Sequence, residues 1–303
     1  MLIDAIDTYL AVRRAGGFKL KGDELYLYSF ARFAVGHGDT HVVARTAIAW
    51  AEQACSEPQR GNRLKAVTRF ARFSRAVDSR HEIPPQGVFC AHRRRPTPYL
   101  FTDGEVQALM NQAAQLGPLG SLRPHTYSTL IGLLAATGLR ISEALGLRFQ
   151  DLTADGLVIR ETKFRKSRLV PLHMTTRVAL EQDLFKRTQL AALDDHLFVS
   201  RRRRALGPRV VYETFIQLLN AAGLPRQSGQ PRPRLIDFRH SFASNALLTS
   251  PDGRHAIGRH MLALMTYLGH AHPSSTFWYL ENSPQLVGDI AQACEQWVEE
   301  NKP

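Results

Sequence analysis

Nowhere in the 303 residues is there a run of about 18 or more apolar side chains, so no helical membrane span is expected. Nor does the start read as an export signal, because Met1 opens a mixed apolar and acidic segment without a basic lead and an apolar run. Cysteine is scarce. Cys55, Cys90 and Cys294 lie far apart and are odd in number, which excludes a fully paired disulfide framework and fits a reducing, cytoplasmic setting. Acid is also short: 27 acidic side chains face 39 basic ones, leaving a net charge of +12 and a pI near 10.0. The excess is spread along the chain, which favours a polyanionic partner, with nucleic acid ahead of a membrane surface for want of a basic amphipathic anchor.

What remains is an ordinary globular composition, 44% hydrophobic and 22% charged, long enough for two cores. Residues 1 to about 79 read as a small helical unit of roughly four helices, with breaks expected at Gly16-Gly17, at Gly36-His37-Gly38 and around Pro58 to Gly61. In its last helix Leu64, Val67, Phe70, Ala71 and Val77 recur at helical spacing. Lys65, Arg69, Arg72 and Arg75 fall largely off that stripe and form a cationic face suited to phosphate. Pro84, Pro85, Pro96 and Pro98 then forbid a regular helix, and Arg93, Arg94 and Arg95 stand among them. We therefore expect a helical domain over 1–85, an extended basic linker over 86–98 and a larger domain over 99–303.

The larger domain starts with Thr102 or Asp103 as the cap of a helix through Val106, Leu109 and Met110. Helices dominate it except over Gly156 to Leu172, where two short strands joined by a turn near Phe164 to Ser167 predict a small antiparallel sheet. The fold class is accordingly mainly α, with a mixed, mostly helical second domain. Thr137 to Leu145 reads as a glycine-broken turn entering a helix, with Arg140 at the bend where an anion can be reached. Leu235 to Ala243 sets Arg239 among apolar positions at helical spacing, and a buried arginine needs an anionic partner, either a bound phosphate or an internal carboxylate such as Asp237 or Glu143. Leu268-Gly269-His270 leads to Phe277-Trp278-Tyr279, nine positions on from the histidine. Arg201 to Arg204 is either a phosphate track or a solvated loop, and no ligand spacing resembles a metal site.

Taken in order, Thr-Gly-Leu-Arg-x-Ser-Glu at 137–143, Lys163 ahead of a Val-Pro-Leu strand, Arg-His-Ser-Phe-Ala at 239–243, and Leu-Gly-His before Tyr279 resemble the tyrosine recombinase, or phage integrase, family. The resemblance is specific over Phe101 to Leu280 and looser over the first 85 residues, which are similar in size and character to the family's core-binding domain. It implies a site-specific recombinase or integrase acting on double-stranded DNA through a 3′-phosphotyrosyl bond to Tyr279. Arg140, Arg239 and His270 would then sit on the phosphate and Lys163 would protonate the leaving 5′-oxygen, with no metal and no cofactor. Four protomers on two duplexes, with accessory or sister recombinases, complete the expectation. One position departs from the family: Ile236 stands where a histidine is usual, three residues before the second arginine. That keeps open an alternative, a catalytically weak DNA-binding accessory subunit.

Overall fold

The computed structural model describes residues 2–89, 97–118, 120–160, 167–189, 194–224, 232–248, 257–270, 272 and 276. The chain divides into two units, residues 1–95 and 96–303. Among the described residues no helix is long and apolar enough to cross a membrane.

The first unit holds helices α1 (Leu2–Ala15), α2 (Lys21–Gly36), α3 (Ala44–Glu52) and α4 (Glu57–Arg75). Each contributes residues three or four apart to one core: Leu2, Ile6 and Leu10; Leu27, Phe30 and Ala34; Ala47, Trp50 and Ala51; Leu64, Val67, Phe70 and Ala71. Aromatic edges lock the layers, with Phe30 on Trp50 at 5.6 Å and Tyr9 on Phe70 at 5.7 Å between ring centroids. Two expectations need correction. The break before α4 lies at Gln53 to Ser56, not at Pro58 to Gly61, because a proline in the first turn removes an N–H that no helical carbonyl would have accepted. Val77 is 87% exposed rather than part of the stripe, since α4 has ended at Arg75 and the chain has left the helical phase.

In the second unit Thr102 caps α5 (Asp103–Ala114) through a reciprocal pair: Glu105 N–H donates to Thr102 Oγ1 at 3.3 Å, and Thr102 N–H donates to Glu105 Oε2 at 2.8 Å. Then follow α6 (Arg123–Thr137), α7 (Ile141–Leu145), the strands β1 (Leu152–Thr153), β2 (Gly156–Ile159) and β3 (Arg168–Val170), and helices α8 (Met174–Thr188), α9 (Pro208–Ala221), α10 (Asp237–Leu248) and α11 (Ile257–Leu268). The sheet has three antiparallel strands in sequence order, one more than expected, because Leu152 pairs with Leu157 across a tight turn too short to leave a sequence pattern. Register across β2 and β3 sets Leu157 opposite Val170 and Ile159 opposite Arg168.

One core runs from Leu109 and Leu134 through Leu157, Ile159 and Val170 to Phe198, Phe215 and Phe238. Phe238 stacks on Phe101 at 4.5 Å, which seats the first turn of α10 deep in the unit. Ala243, Leu247, Leu264 and Leu268 then pack α11 onto α10. These two contacts matter for function, since they bring the ends of α6, α10 and α11 to one place.

Candidate active site

α6 ends where Gly138 adopts φ 59°, the left-handed turn that spares a Cβ; one there would lie 2.7 Å from the Phe242 ring. The chain turns at Gly138 and Leu139 and enters α7 with Arg140 just ahead of the helix. α11 ends likewise at Gly269, φ 66°, where His270 N–H donates to Met265 O and Gly269 N–H to Thr266 O. That turn delivers His270.

Two arginines, buried Arg239 and partly buried Arg168, join these turns. Arg239, 2% exposed, donates from Nη1 to Gly138 O at 3.0 Å and from Nη2 to Leu268 O. Its guanidinium therefore bonds the residue two before Arg140 and the residue two before His270. These two partners are backbone carbonyls, while Arg234 holds both oxygens of Asp237 and Arg140 and Arg168 hold Glu143. Arg168 forms the second link. Nη1 and Nη2 grip Glu143 at 3.2 and 2.9 Å, while Nε donates to Tyr267 O at 2.7 Å.

Glu143 also accepts from the Arg140 backbone N–H at 3.0 Å and from Arg140 Nη1 at 2.8 Å. Its side chain is 9% exposed, and that of Arg140 33%. Burial alone would raise the carboxyl's pKa. The hydrogen bonds from Arg168 and from the Arg140 backbone, with the charges behind them, outweigh it and hold the group down at about 2. Arg140 is thus oriented from below and accessible from above.

Half-buried His270 has its pKa lowered to about 4, first by burial and then by the charges of Arg239, Arg140, Arg168 and His240. It is neutral at physiological pH, and its Nδ1 lies 2.7 Å from the hydroxyl of fully buried Thr276. When that hydroxyl donates, Nε2 keeps a proton to give to an anion. Among the described residues three guanidiniums, of Arg140, Arg168 and Arg239, gather here with one carboxylate, Glu143, because Arg234 balances Asp237. An excess of two positive charges in a partly dry site suits a phosphodiester and the further charge of its transition state.

Of the residues expected from sequence, Arg140, Arg239 and His270 come together here, whereas Lys163 and Tyr279 lie outside the described residues. Ile236 is 37% exposed at the entry to α10, and its carbonyl accepts the Arg239 backbone N–H at 3.1 Å. In the first unit Lys65, Arg69 and Arg72 share the exposed face of α4, with Arg69 paired to Asp23 at 2.7 Å; Arg93, Arg94 and Arg95 lie outside the described residues. Arg201 to Arg204 form an exposed turn between Val199 and Ala205. The acidic and histidine side chains of Asp194, Asp195 and His196 lie close together, but Asp195 is held by Arg148 at 2.8 Å and Asp194 by His196 and the Ala205 N–H.

Sequence reasoning missed Arg168 and Thr276. A signal for Arg168 was present: it precedes Val170 by two, so the pleat turns both to one face, and Val170 is fully buried.

The chain is similar to known proteins in sequence and in fold. The model described as the phage integrase family matches residues 100–285. The chain is 36% identical over 302 residues to the integrase/recombinase y4rB of Sinorhizobium fredii, covering 96% of each. It is 30% identical to the tyrosine recombinase XerD of Brucella abortus, over 81% of this chain and 78% of that one. Among solved structures, the Tn1549 transposon integrase in complex with transposon right-end DNA superposes with a TM-score of 0.64 over 99% of both chains at 17% identity, a likeness of fold.

Proposed function

The chain belongs to the phage integrase family, the tyrosine recombinases, and is a site-specific DNA recombinase; from that premise we propose that Tyr279 cuts DNA by forming a 3′-phosphotyrosyl bond. The observation that carries this reading is the Arg239 guanidinium, which binds the turns bearing Arg140 and His270 to each other.

In the proposed step Tyr279 releases its hydroxyl proton to water as Oη bonds to phosphorus and the bond to the 5′-oxygen breaks. Lys163 gives the leaving oxygen its proton. Arg140 binds a non-bridging oxygen in fork geometry, and the buried charge of Arg239 stabilises the second negative charge as it grows. His270 donates to the same phosphate and, with Ile236 in the family's histidine position, carries more of the proton handling. The phosphotyrosyl bond conserves the energy of the phosphodiester, so the reverse attack by a 5′-hydroxyl rejoins strands without ATP, metal or cofactor.

Double-stranded DNA is the partner, consistent with the net charge of +12. Residues 1–85 would act as the core-binding domain with the Lys65, Arg69 and Arg72 face on phosphates, and residues 99–303 as the catalytic domain, joined by a linker whose Arg93, Arg94 and Arg95 follow the backbone. Arg69 exchanges Asp23 for phosphate on binding. The working assembly is a homo-oligomer on DNA, four protomers at two duplexes, with accessory or sister recombinases, acting in the cytoplasm.

Trapping tests the reading: purified protein is incubated with a duplex nicked beside its recombination site and run on a denaturing gel. A covalent adduct from the wild type, absent in Tyr279→Phe, is the expected result, and an undiminished adduct in that variant removes Tyr279 from its role. Ile236 favours one second reading, the accessory subunit, because an accessible aliphatic stands where the family has a proton carrier. Intact DNA binding without an adduct, together with an adduct gained in Ile236→His, decides for it.

A further inference from the structure

We propose that Arg168 is a positioning residue of the recombination reaction, acting through Glu143 on Arg140 and through the end of α11 on His270. The proposal rests on the mechanism above, but its geometry is independent of Tyr279. Every contact of the Arg168 guanidinium described above ends on a group that carries a site residue. Glu143, gripped by both terminal nitrogens, holds Arg140 by backbone and side chain. Tyr267 O, held by Nε at 2.7 Å, is three residues before His270. Gly269 completes the contact: a Cβ there would lie 2.9 Å from Arg168 Nη1 and 3.3 Å from Cζ, so the guanidinium rests on the backbone next to the histidine.

Arg168 thereby repeats from the sheet side what Arg239 does from α10. It differs in sequence context. Arg168 is the first residue of β3, so that strand is anchored at the same guanidinium as both turns. The side chain is 10% exposed, and a bidentate grip on one carboxylate with a third bond from Nε uses the planar fork of arginine. Lysine offers the charge without the fork. Neither the charge of Arg168 nor its burial is then sufficient; the direction of its three nitrogens is what sets Arg140 and His270 at a common phosphate, where a displacement of about 1 Å can cost on the order of 10²-fold in rate.

The experiment compares wild type, Arg168→Lys, Arg168→Met, Glu143→Gln and the Arg168→Lys/Glu143→Gln double variant, all full length. DNA affinity is read by gel shift and the single-turnover adduct rate on the nicked duplex at saturating protein. Arg168→Lys is expected to keep affinity within about 3-fold while the adduct rate falls roughly 10- to 100-fold, and the double variant to lose less than the product of the two single losses, since the path through Glu143 is shared and only the Tyr267 contact is lost separately. The His270 ring proton is titrated by NMR without DNA. It faces the charges of Arg239, Arg140 and Arg168 and the His240 ring, so Arg168→Met raises its pKa. Should Arg168→Met fail to fold, Arg168→Lys carries the rate test and a shift of the His270 ring resonances carries the geometric one.

A folded Arg168→Lys with wild-type adduct rate and unmoved His270 resonances overturns the proposal. Additive rate losses in the double variant overturn the path through Glu143. If the wild type itself yields no adduct while Arg168→Lys moves the His270 resonances, the positioning role stands and the strand-cutting reading is what fails.

Discussion

Replacing Glu143 by glutamine removes one charge and no volume, at a point where the structure predicts a large effect. The carboxylate receives four hydrogen bonds of 2.8 to 3.2 Å from Arg140 and Arg168, and its side chain is 9% exposed. Its pKa falls from 4.5 to about 2, burial opposing and the two arginines prevailing. A depression of that size corresponds to about 3 kcal/mol in favour of the charged, folded form. The glutamine side chain also turns an amide donor toward one of two guanidiniums that have only donors, in line with the roughly 3–5 kcal/mol lost on breaking buried pairs. For a unit of about 200 residues this lowers the melting temperature by roughly 6–12 °C.

Because the folded pKa lies below the unfolded one, the contribution of Glu143 is complete above about pH 4.5 and disappears as pH falls toward 2. The gap between wild type and Glu143→Gln should therefore be widest near pH 7 and shrink below pH 4. Calorimetric melts of the DNA-free protein at pH 7, 5 and 3.5 measure it. A difference under 2 °C at pH 7, or one that stays constant down to pH 3.5, would refute the reasoning, because the two arginines would then be held by something other than this charge.

Asp183 gives the opposite pH dependence. It is 5% exposed, one carboxylate oxygen has no hydrogen-bond partner, and burial pushes its pKa up to about 6 against the pull of Lys186 and Arg187. A raised carboxyl pKa makes folding take up a proton, so stability falls as pH rises from about 4 to 6. Asp183→Asn should recover at most about 3 kcal/mol at pH 8 and nearly nothing at pH 4, seen as a melting temperature several degrees higher at pH 8 only; an unchanged or lower value there contradicts it. Gly138→Ala should cost about 2 kcal/mol or more, from the left-handed backbone and the clash with Phe242, and should slow adduct formation by shifting the carbonyl that holds Arg239. Wild-type melting and adduct rate in that variant would show that the turn tolerates a side chain.

Much of this protein could be read from its residues in order. Thr102 and Glu105 announce a helix start, the stripe from Leu64 to Ala71 a buried helix face, and Val158 and Leu169 a hairpin, because caps, helical periods and strand pairing between near neighbours are local interactions. That Arg140, Arg239 and His270 lie near one another was legible too, through motif order alone. Partnership was not. Arg239 bonds Gly138, about a hundred residues earlier, and Leu268, about thirty later, and only the stacking of α10 against Phe101 and of α11 on α10 decides that those carbonyls arrive there.

For the same reason Glu143 looked like a partner for Arg239 and became one for Arg140 and Arg168. A charge in sequence declares only that it will need an opposite charge or a carbonyl if it is buried. Which one it meets depends on loops that close over long separations and on space at single atoms, such as the missing Cβ of Gly269 that lets Arg168 lie against the backbone beside His270. Composition, periodicity and motif order thus determined the family of the protein and pointed to three residues that lie together in the fold. Tertiary packing decided which arginine faces the solvent and which two hold the site together.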